Sequence, residues 1–563
     1  MRTILRVTPI AAALALVCAA CAPRPATPLR SASASQRWFG NQKPAGERIF
    51  RFDNQAEPED QDPGKSSGQP DGRVARIMYE GLCVPDPKTL APLPGQAYRW
   101  DVSADKRTYT FHLRPHLQWS DGTPLTAHDF LWSWRRVLEP ATAARYVAIM
   151  YPIRNAQAFN QDSTHRMRIE DVGLAAPDDS TFVVTLQHPT SYFLSLTTFY
   201  TFLPVPRAVI EKWGDQWTRP EHVISNGPFV LDYWRQNDRF EFHRNPRYWD
   251  AAHVRLDRVI AYSVDDLNTG LNLYKSGVFD WLPSGGVSAP FIPYLREYAD
   301  YRTGDYQATY FYSVNVTQPP LDNVWLRRAL EWAVDRDAIA KDLLKGSRRP
   351  WGNLTPLGYP GYVHPPGYTY DPAKARACLA RAGYPGGKGL PRLSILFNTS
   401  EDHRRIAEAL QAMWKNVLGI DVELSNQEWG SYLEATTTLH YQIARRSWIG
   451  DYLDPMTFLD MWTTDNGNNR TGWHSPAYDA LIEAAEAEPD TAKRLAMLSR
   501  AEAIVLDQGI IIPIYHYTTN ELVKPYVRGL YPNLLDVHNL KDVWIDPDWR
   551  TRETPVAEAA PRR

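Results

Sequence analysis

Cysteine is scarce in this sequence: four residues in 563, at positions 18, 21, 83 and 378. Two of them fall in the first 21 positions, which leaves Cys83 and Cys378 far apart in the rest of the chain. Such a pair excludes a disulfide framework and a cysteine-rich metal module, and both residues read as buried small apolar side chains. An excess of positive charge is missing too. With 62 Lys+Arg against 64 Asp+Glu the formal net charge is −2, so no basic face for nucleic acid is expected. No apolar run reaches the ~20 residues a membrane-spanning helix needs. Catalytic signatures are also lacking. Gly64-Lys65-Ser66 ends like a phosphate loop, but Glu59 stands where the earlier glycine is required. There is no Gly-x-Ser-x-Gly elbow and no His-Glu-x-x-His helix. His112 and His116 flank Pro115 and cannot share a helix face, and the pairs Asp178-Asp179 and Asp265-Asp266 read as solvated turn residues. No catalytic residue, metal or cofactor is expected.

What is present begins at the first residue. Met1-Arg2-Thr3 and Arg6 precede a short apolar stretch, Ile10 to Ala20, which ends in small residues. A charged start, a short apolar core and Ala19-Ala20-Cys21 predict an export signal over 1–20. Cys21 after two alanines resembles a bacterial lipoprotein cleavage site and is the predicted lipidation position, although Cys18 stands where such sites carry Leu. Ala22 to Gln36 is rich in Pro, Ser, Ala and Arg, a composition that suits a tether over 21–47. The folded unit is expected from Arg48-Ile49-Phe50.

The length allows two or three domains. Arg107–Leu113, Thr181–Leu186 and Arg239–His243 alternate with period two and predict strands. Ala127–Leu138, Trp325–Leu344, Asp402–Leu418 and Ser475–Leu506 predict helices, the second with Leu326, Leu330, Ala333 and Val334 on one face. Strands alternate with helices, so the expected fold is α/β with more than one lobe and a cleft between lobes. The 20 Trp and 30 Tyr supply packing, and some of them suit the lining of a ligand cleft.

Long motifs run through this framework. They are Trp119-Ser-Asp-Gly-Thr-Pro-Leu-Thr-Ala-His-Asp-Phe130, Ser225-Asn-Gly-Pro-Phe229, Arg244-Asn-Pro-Arg-Tyr-Trp249, Asn426-Gln-Glu-Trp429, Arg445-Arg-Ser-Trp-Ile-Gly-Asp-Tyr-Leu-Asp-Pro455 and Ile511-Ile-Pro-Ile-Tyr515. In this order they resemble the oligopeptide-binding branch of the family-5 solute-binding proteins, receptors of ATP-driven peptide importers. The resemblance implies a two-lobed periplasmic-binding-protein-like clamp with an additional domain on the first lobe. Lobe I would comprise 48–80, 200–307 and 519–550, the additional domain 81–199 and lobe II 308–518, with a disordered tail at 551–563. The Trp119 segment would then be structural.

The same resemblance implies the ligand contacts. Asp451 matches the carboxylate that receives a peptide's amine. Arg445 and His403 match positions that face the peptide's carboxylate, with His403 most effective when protonated. Tyr146, Trp429 and Tyr517 match aromatic positions along the cleft. A further cationic position falls on Thr436, and two acidic ones fall on Ser67 and Ser313. The implied partners are short peptides and the membrane permease and ATPase subunits of an importer, for a monomeric receptor in the periplasm or cell envelope. Receptors for dipeptides or murein peptides on the same fold remain open, as do a structural lipoprotein and a peptidase.

Overall fold

The computed structural model describes residues 37–551, apart from 59, 67, 165 and 465, and excluding the side chain of Trp429. The expected signal segment, Cys21, most of the tether, Ser67 and the tail therefore lie outside the described residues. Among these residues no helix is long and apolar enough to cross a membrane.

One eleven-stranded sheet organises the body. Its strand order is Val422–Gln427, Leu393–Asn398, Ile443–Ile449, Tyr301–Val314, Ile511–Val523, Trp281–Leu282, Ile49–Asp53, Arg258–Tyr262, Arg239–Arg244 and Phe229–Arg235, with Arg349–Pro350 paired off this path. Two members are unusually long, Tyr301–Val314 with 14 residues and Ile511–Val523 with 13, and they pair antiparallel. These two strands cross from one half of the sheet to the other. Their register shifts between Asp305 and Thr309, a bulge midway along the crossing.

Each half has its own packing. In the half reached by Tyr310, Tyr312 and Val314, these side chains meet Leu326, Leu330, Ile406, Leu410 and Trp414 in one buried cluster. The opposite half buries Phe50, Phe52, Val259, Ala261 and Trp281. A separate four-stranded sheet follows the order Ala97–Val102, Thr108–Leu113, Thr181–Thr185, Leu174–Asp178. The helix Ala127–Leu138 packs on it because Phe130, Trp134, Val137 and Leu138 fall on one face. Thr126 and Asp129 form a capping box at its start, with the Thr126 N–H donating to Asp129 Oδ2 at 2.8 Å. Trp119 and Trp134 are buried, and Trp134 Nε1 donates to Phe202 O at 2.9 Å. The conspicuous Trp119 segment thus holds the packing of this smaller sheet.

Several expectations need correction. The helix expected over Trp325–Leu344 ends at Trp332, and a separate helical stretch, Ala338–Leu343, restarts where Asp335 Oδ1 accepts from the Ala338 N–H. The four residues assigned to one face are all buried. The long helix over Ser475–Leu506 is two, Pro476–Ala487 and Thr491–Gln508. Pro489 disfavours helical backbone at Glu488, and Asp490 caps the second helix through Lys493. Cys378 is only partly buried, unlike Cys83. The folded body begins before Arg48. Phe39 is buried among Tyr274 and Tyr298, its N–H donates to Asp300 Oδ1 at 2.9 Å, and Trp38 meets Trp549 edge-on at 5.8 Å. The two ends of the described body therefore touch.

Candidate functional site

The segment Gly450–Pro455 leaves the strand Ile443–Ile449 and is pinned from several directions. The Gly450 N–H donates to Gln307 O at 2.8 Å, and Gln307 Nε2 donates to Tyr452 O at 2.6 Å. A Cβ at Gly450 would lie 2.1 Å from Gln307 Nε2, so the contact requires glycine. Tyr452 stacks on Tyr192 with ring centroids 4.5 Å apart. Arg494 grips Asp454 with both terminal nitrogens, at 2.7 and 2.8 Å. The Asp451 N–H donates to Thr457 Oγ1 at 3.2 Å. Asp451 is thereby fixed at the wall of a small cavity of about 40 Å³, whose lining also includes Gln69, Arg76, Phe199, Tyr200 and Tyr452.

No cation pairs with Asp451 among the described residues. Burial pushes its carboxyl up to about 7, opposed only by the Tyr146 hydroxyl beside it. Tyr146 packs on Phe199 and Tyr200, which holds its phenol at the cavity. Sequence reasoning missed Arg76. It lies in the last turn of the helix Gln69–Met78, where a basic residue ordinarily reads as a solvated partner of the helix dipole. Here it is partly buried over the Tyr200 ring, 5.4 Å from its centroid, and desolvation lowers its guanidinium to about 10.

The other predicted residues meet at a second place. Arg445 lies over the Tyr310 ring, 4.7 Å from its centroid, and points Nη2 at Ser447 Oγ (3.2 Å) and Tyr517 OH (3.5 Å). Its Nε is buried without an acceptor. His403 contacts the same Tyr310 through Nδ1 at 3.2 Å. Burial, with Arg445 adding to it, lowers the His403 imidazole to about 3, so it is neutral near pH 7. Partly buried beside a guanidinium, His403 is in its neutral form, not the protonated form that would grip a carboxylate best. Arg445, His403 and Tyr517 converge around Tyr310, while Asp451 and Tyr146 face each other. Trp429 begins the helix Trp429–Thr437, and its side chain lies outside the described atoms.

Thr436 and Ser313, where charges are expected by resemblance, are both fully buried. Thr436 Oγ1 accepts from Arg470 Nη1 at 3.1 Å, and Ser313 Oγ has no protein partner. His112, doubted as a metal ligand, pairs with Asp101 at 2.8 Å. One cluster with metal-ligand chemistry does occur elsewhere, Glu521, Asp536 and His538. Arg73 already donates to Asp536 at 3.1 Å and His538 Nε2 bonds it at 2.9 Å, so these groups neutralise one another.

Comparison with known proteins fits this geometry. Residues 91–470 match the model of the bacterial extracellular solute-binding proteins, family 5 Middle. The periplasmic oligopeptide-binding protein OppA of Salmonella typhimurium is 35% identical over 485 residues, 84% of this chain and 88% of that protein. A probable deoxycholate-binding periplasmic protein of Escherichia coli, YgiS, is 35% identical over 520 residues, 88% of this chain and 92% of that one. The structure of the Escherichia coli murein tripeptide-binding protein MppA superposes with a TM-score of 0.76 at 32% identity, covering 89% of this chain and 99% of that one. The expected fold class is borne out by such matches, as is the expectation of a non-enzymatic binding protein. With more than half of its length matched by the family model, the chain belongs to family 5 of the bacterial extracellular solute-binding proteins.

Proposed function

We propose that this protein captures short peptides outside the cytoplasm and delivers them to the permease and ATPase subunits of an importer. The observation that carries the reading is Asp451, a carboxylate fixed at a cavity with no cation of its own. A buried acid in that position is completed by a ligand's ammonium group, which exchanges its hydration for a charge-assisted hydrogen bond. Arg445, Tyr517 and neutral His403 receive the carboxylate, and Tyr146 and Trp429 flank the peptide. Asp451 and Arg445 are six residues apart, and since the strand between them ends at Ile449 their separation is at most about 20 Å. A peptide spans at most ~3.3–3.6 Å per residue, and both side chains reach inward, which favours about three to five residues.

Lobe boundaries at 307/308 and 518/519 belong to the same proposal. The bulge between Asp305 and Thr309 supports them, since an interrupted ladder is where two long strands bend most easily. Gln307 sits in that interruption and bonds to both Gly450 and Tyr452, so closure of the lobes and positioning of Asp451 are coupled. Lipidation at Cys21 would keep the receptor at the membrane.

Deoxycholate, named for one relative, carries a carboxylate and no amine, so it leaves Asp451 unanswered. Dipeptides and murein peptides do carry one, and they are the second reading. The test is to purify the mature protein, extract bound material under denaturing conditions and identify it by mass spectrometry. Intact mixed peptides of about two to five residues support the proposal. A steroid acid, or single amino acids alone, would overturn it.

A further inference from the structure

Only two of the residues lining the cavity beside Asp451 carry charge, Asp451 itself and Arg76. Other arginines drawn out of water in this protein find carboxylates: Arg336 with Glu331, Arg494 with Asp454, Arg73 with Asp536 and Arg136 with Asp62, each within 3.1 Å. Among the described residues no carboxylate pairs with Arg76, not even Asp451. Its Nη1 donates to Gly72 O at 3.2 Å, a carbonyl one turn back in its own helix, and its Nε is buried without an acceptor. A guanidinium carries several N–H donors and cannot give up its proton, so one bond to its own helix leaves it short of acceptors.

The acids near Arg76 are committed elsewhere. Glu80, one turn on, spends Oε1 on Gln96 Nε2 at 3.1 Å and on the Trp249 indole, and Oε2 on Lys541 at 3.3 Å. Asp71 caps the helix by accepting from the Gly68 N–H at 2.9 Å. Toward Asp451, aromatic rings act as spacers. The Arg76 guanidinium lies over the Tyr200 ring, Tyr200 meets Tyr146 edge-on at 6.2 Å, and the Tyr146 hydroxyl stands beside Asp451. Acid and base are thus held apart on the wall of one cavity. A water-sized position needs ~10–15 Å³. The cavity's volume of about 40 Å³ therefore holds about three such positions, the bulk of one carboxyl group.

We propose that Arg76 receives a carboxylate on the first side chain of the peptide, which makes the receptor selective for N-terminal Asp or Glu. The inference rests on the peptide-binding reading and names the substrate class of the same site. With the ligand's ammonium on Asp451, the first side chain is the part of the peptide that starts beside this cavity. An acidic one supplies the acceptors that Arg76 lacks, through paired N–H···O bonds that a neutral amide matches only in part. A cationic first side chain meets a like charge there, and an aromatic one exceeds the space. The peptide's terminal carboxylate, at the Arg445 end, takes no part.

Calorimetry of the mature protein with paired tripeptides tests this. Glu-Ala-Ala is compared with Gln-Ala-Ala, Asp-Ala-Ala with Asn-Ala-Ala, and Ala-Glu-Ala with Ala-Gln-Ala. The expected result is binding about tenfold or more tighter for the acidic member of at least one first-position pair, with the second-position pair within about twofold. In Arg76→Gln the first-position preference falls to within about twofold while Gln-Ala-Ala keeps its affinity. Arg76→Lys keeps a charge and an apolar stem over Tyr200 but loses the planar fork, so it retains part of the preference, and it carries the test should Arg76→Gln not fold. Equal affinity for acidic and amide first residues in the wild type overturns the proposal. So does a preference that follows the second position, or one that survives both variants unchanged. An equal loss for all peptides in the variants marks a packing role for Arg76 and overturns it as well. Failure of the wild type to bind any of the peptides overturns the peptide reading itself.

Discussion

The two ends of the proposed binding site, Asp451 and Arg445, place charge under the same constraint and answer it in opposite ways. At one end Asp451 is buried without a cation, and its carboxyl rises to about 7. At the other, Arg445 is buried without a carboxylate and keeps its charge. An acid can escape unpaired burial by taking up a proton, whereas a guanidinium cannot within the range of pH a protein survives. The acid end is therefore graded by pH and the basic end is constantly charged. The basic end compensates with phenol oxygens, ring faces and carbonyls, as the contacts of Arg445 with Tyr310 and Tyr517 illustrate.

This contrast can be broken most strongly at Asp451. Asp451→Asn is expected to weaken free-amine peptides by about 30- to 1,000-fold, corresponding to ~2–4 kcal/mol, while leaving N-acetyl peptides unchanged. Calorimetry on both peptide forms reads the difference, and equal losses would remove the amine role. Arg445→Gln is expected to cost free-acid peptides about 10- to 100-fold and C-terminal amides much less, because only a free carboxylate uses its charge while the hydroxyls of Ser447 and Tyr517 still donate.

Acidity sharpens the comparison next. Below about pH 7 the empty site holds a proton on Asp451 that an incoming ammonium must displace. Affinity should then fall toward tenfold per pH unit as pH drops from 7 to about 5, with proton release visible as buffer-dependent heat. His403, neutral throughout this range, contributes no second inflection. An effect of similar size is expected on the stability of the ligand-free protein. The folded carboxyl titrates near 7 and its ordinary value is 3.8, so between these values the folded state holds a proton the unfolded state has lost. Stability falls as pH rises through that window, and the full cost is present above it. Ligand-free Asp451→Asn should accordingly be more stable than wild type at about pH 8, by roughly 2–4 kcal/mol, with the gap closing below about pH 4. Urea denaturation at the two pH values measures it.

The strands and capped helices were legible because their signals are local. Period-two alternation marks Thr108–Leu113, and the Thr126–Asp129 box marks the helix that follows it. The break at Trp332 was not legible, since the stripe of Leu326, Leu330, Ala333 and Val334 continues past the point where Asp335 starts a new helix. At the site, Asp451 and Arg445 could be named by resemblance, and the structure adds the geometry around them. Arg76 was not named. For Arg76 nothing in the sequence separates an arginine facing a cavity from one facing water, because its surroundings come from distant segments such as Tyr200. His403 shows the same limit, as its charge state is set by burial and by Arg445, 42 positions away.

The contact between Trp38 and Trp549 has a topological consequence. A chain whose folded ends meet is nearly a closed ring, and a ring has no privileged opening. Joining the two ends by a short linker and cutting at an exposed turn such as Pro385–Gly387 should yield the same body with relocated termini. Both new ends would then lie in the half of the sheet that holds Arg445, and the direction from which the molecule is held could be chosen independently of how it folds.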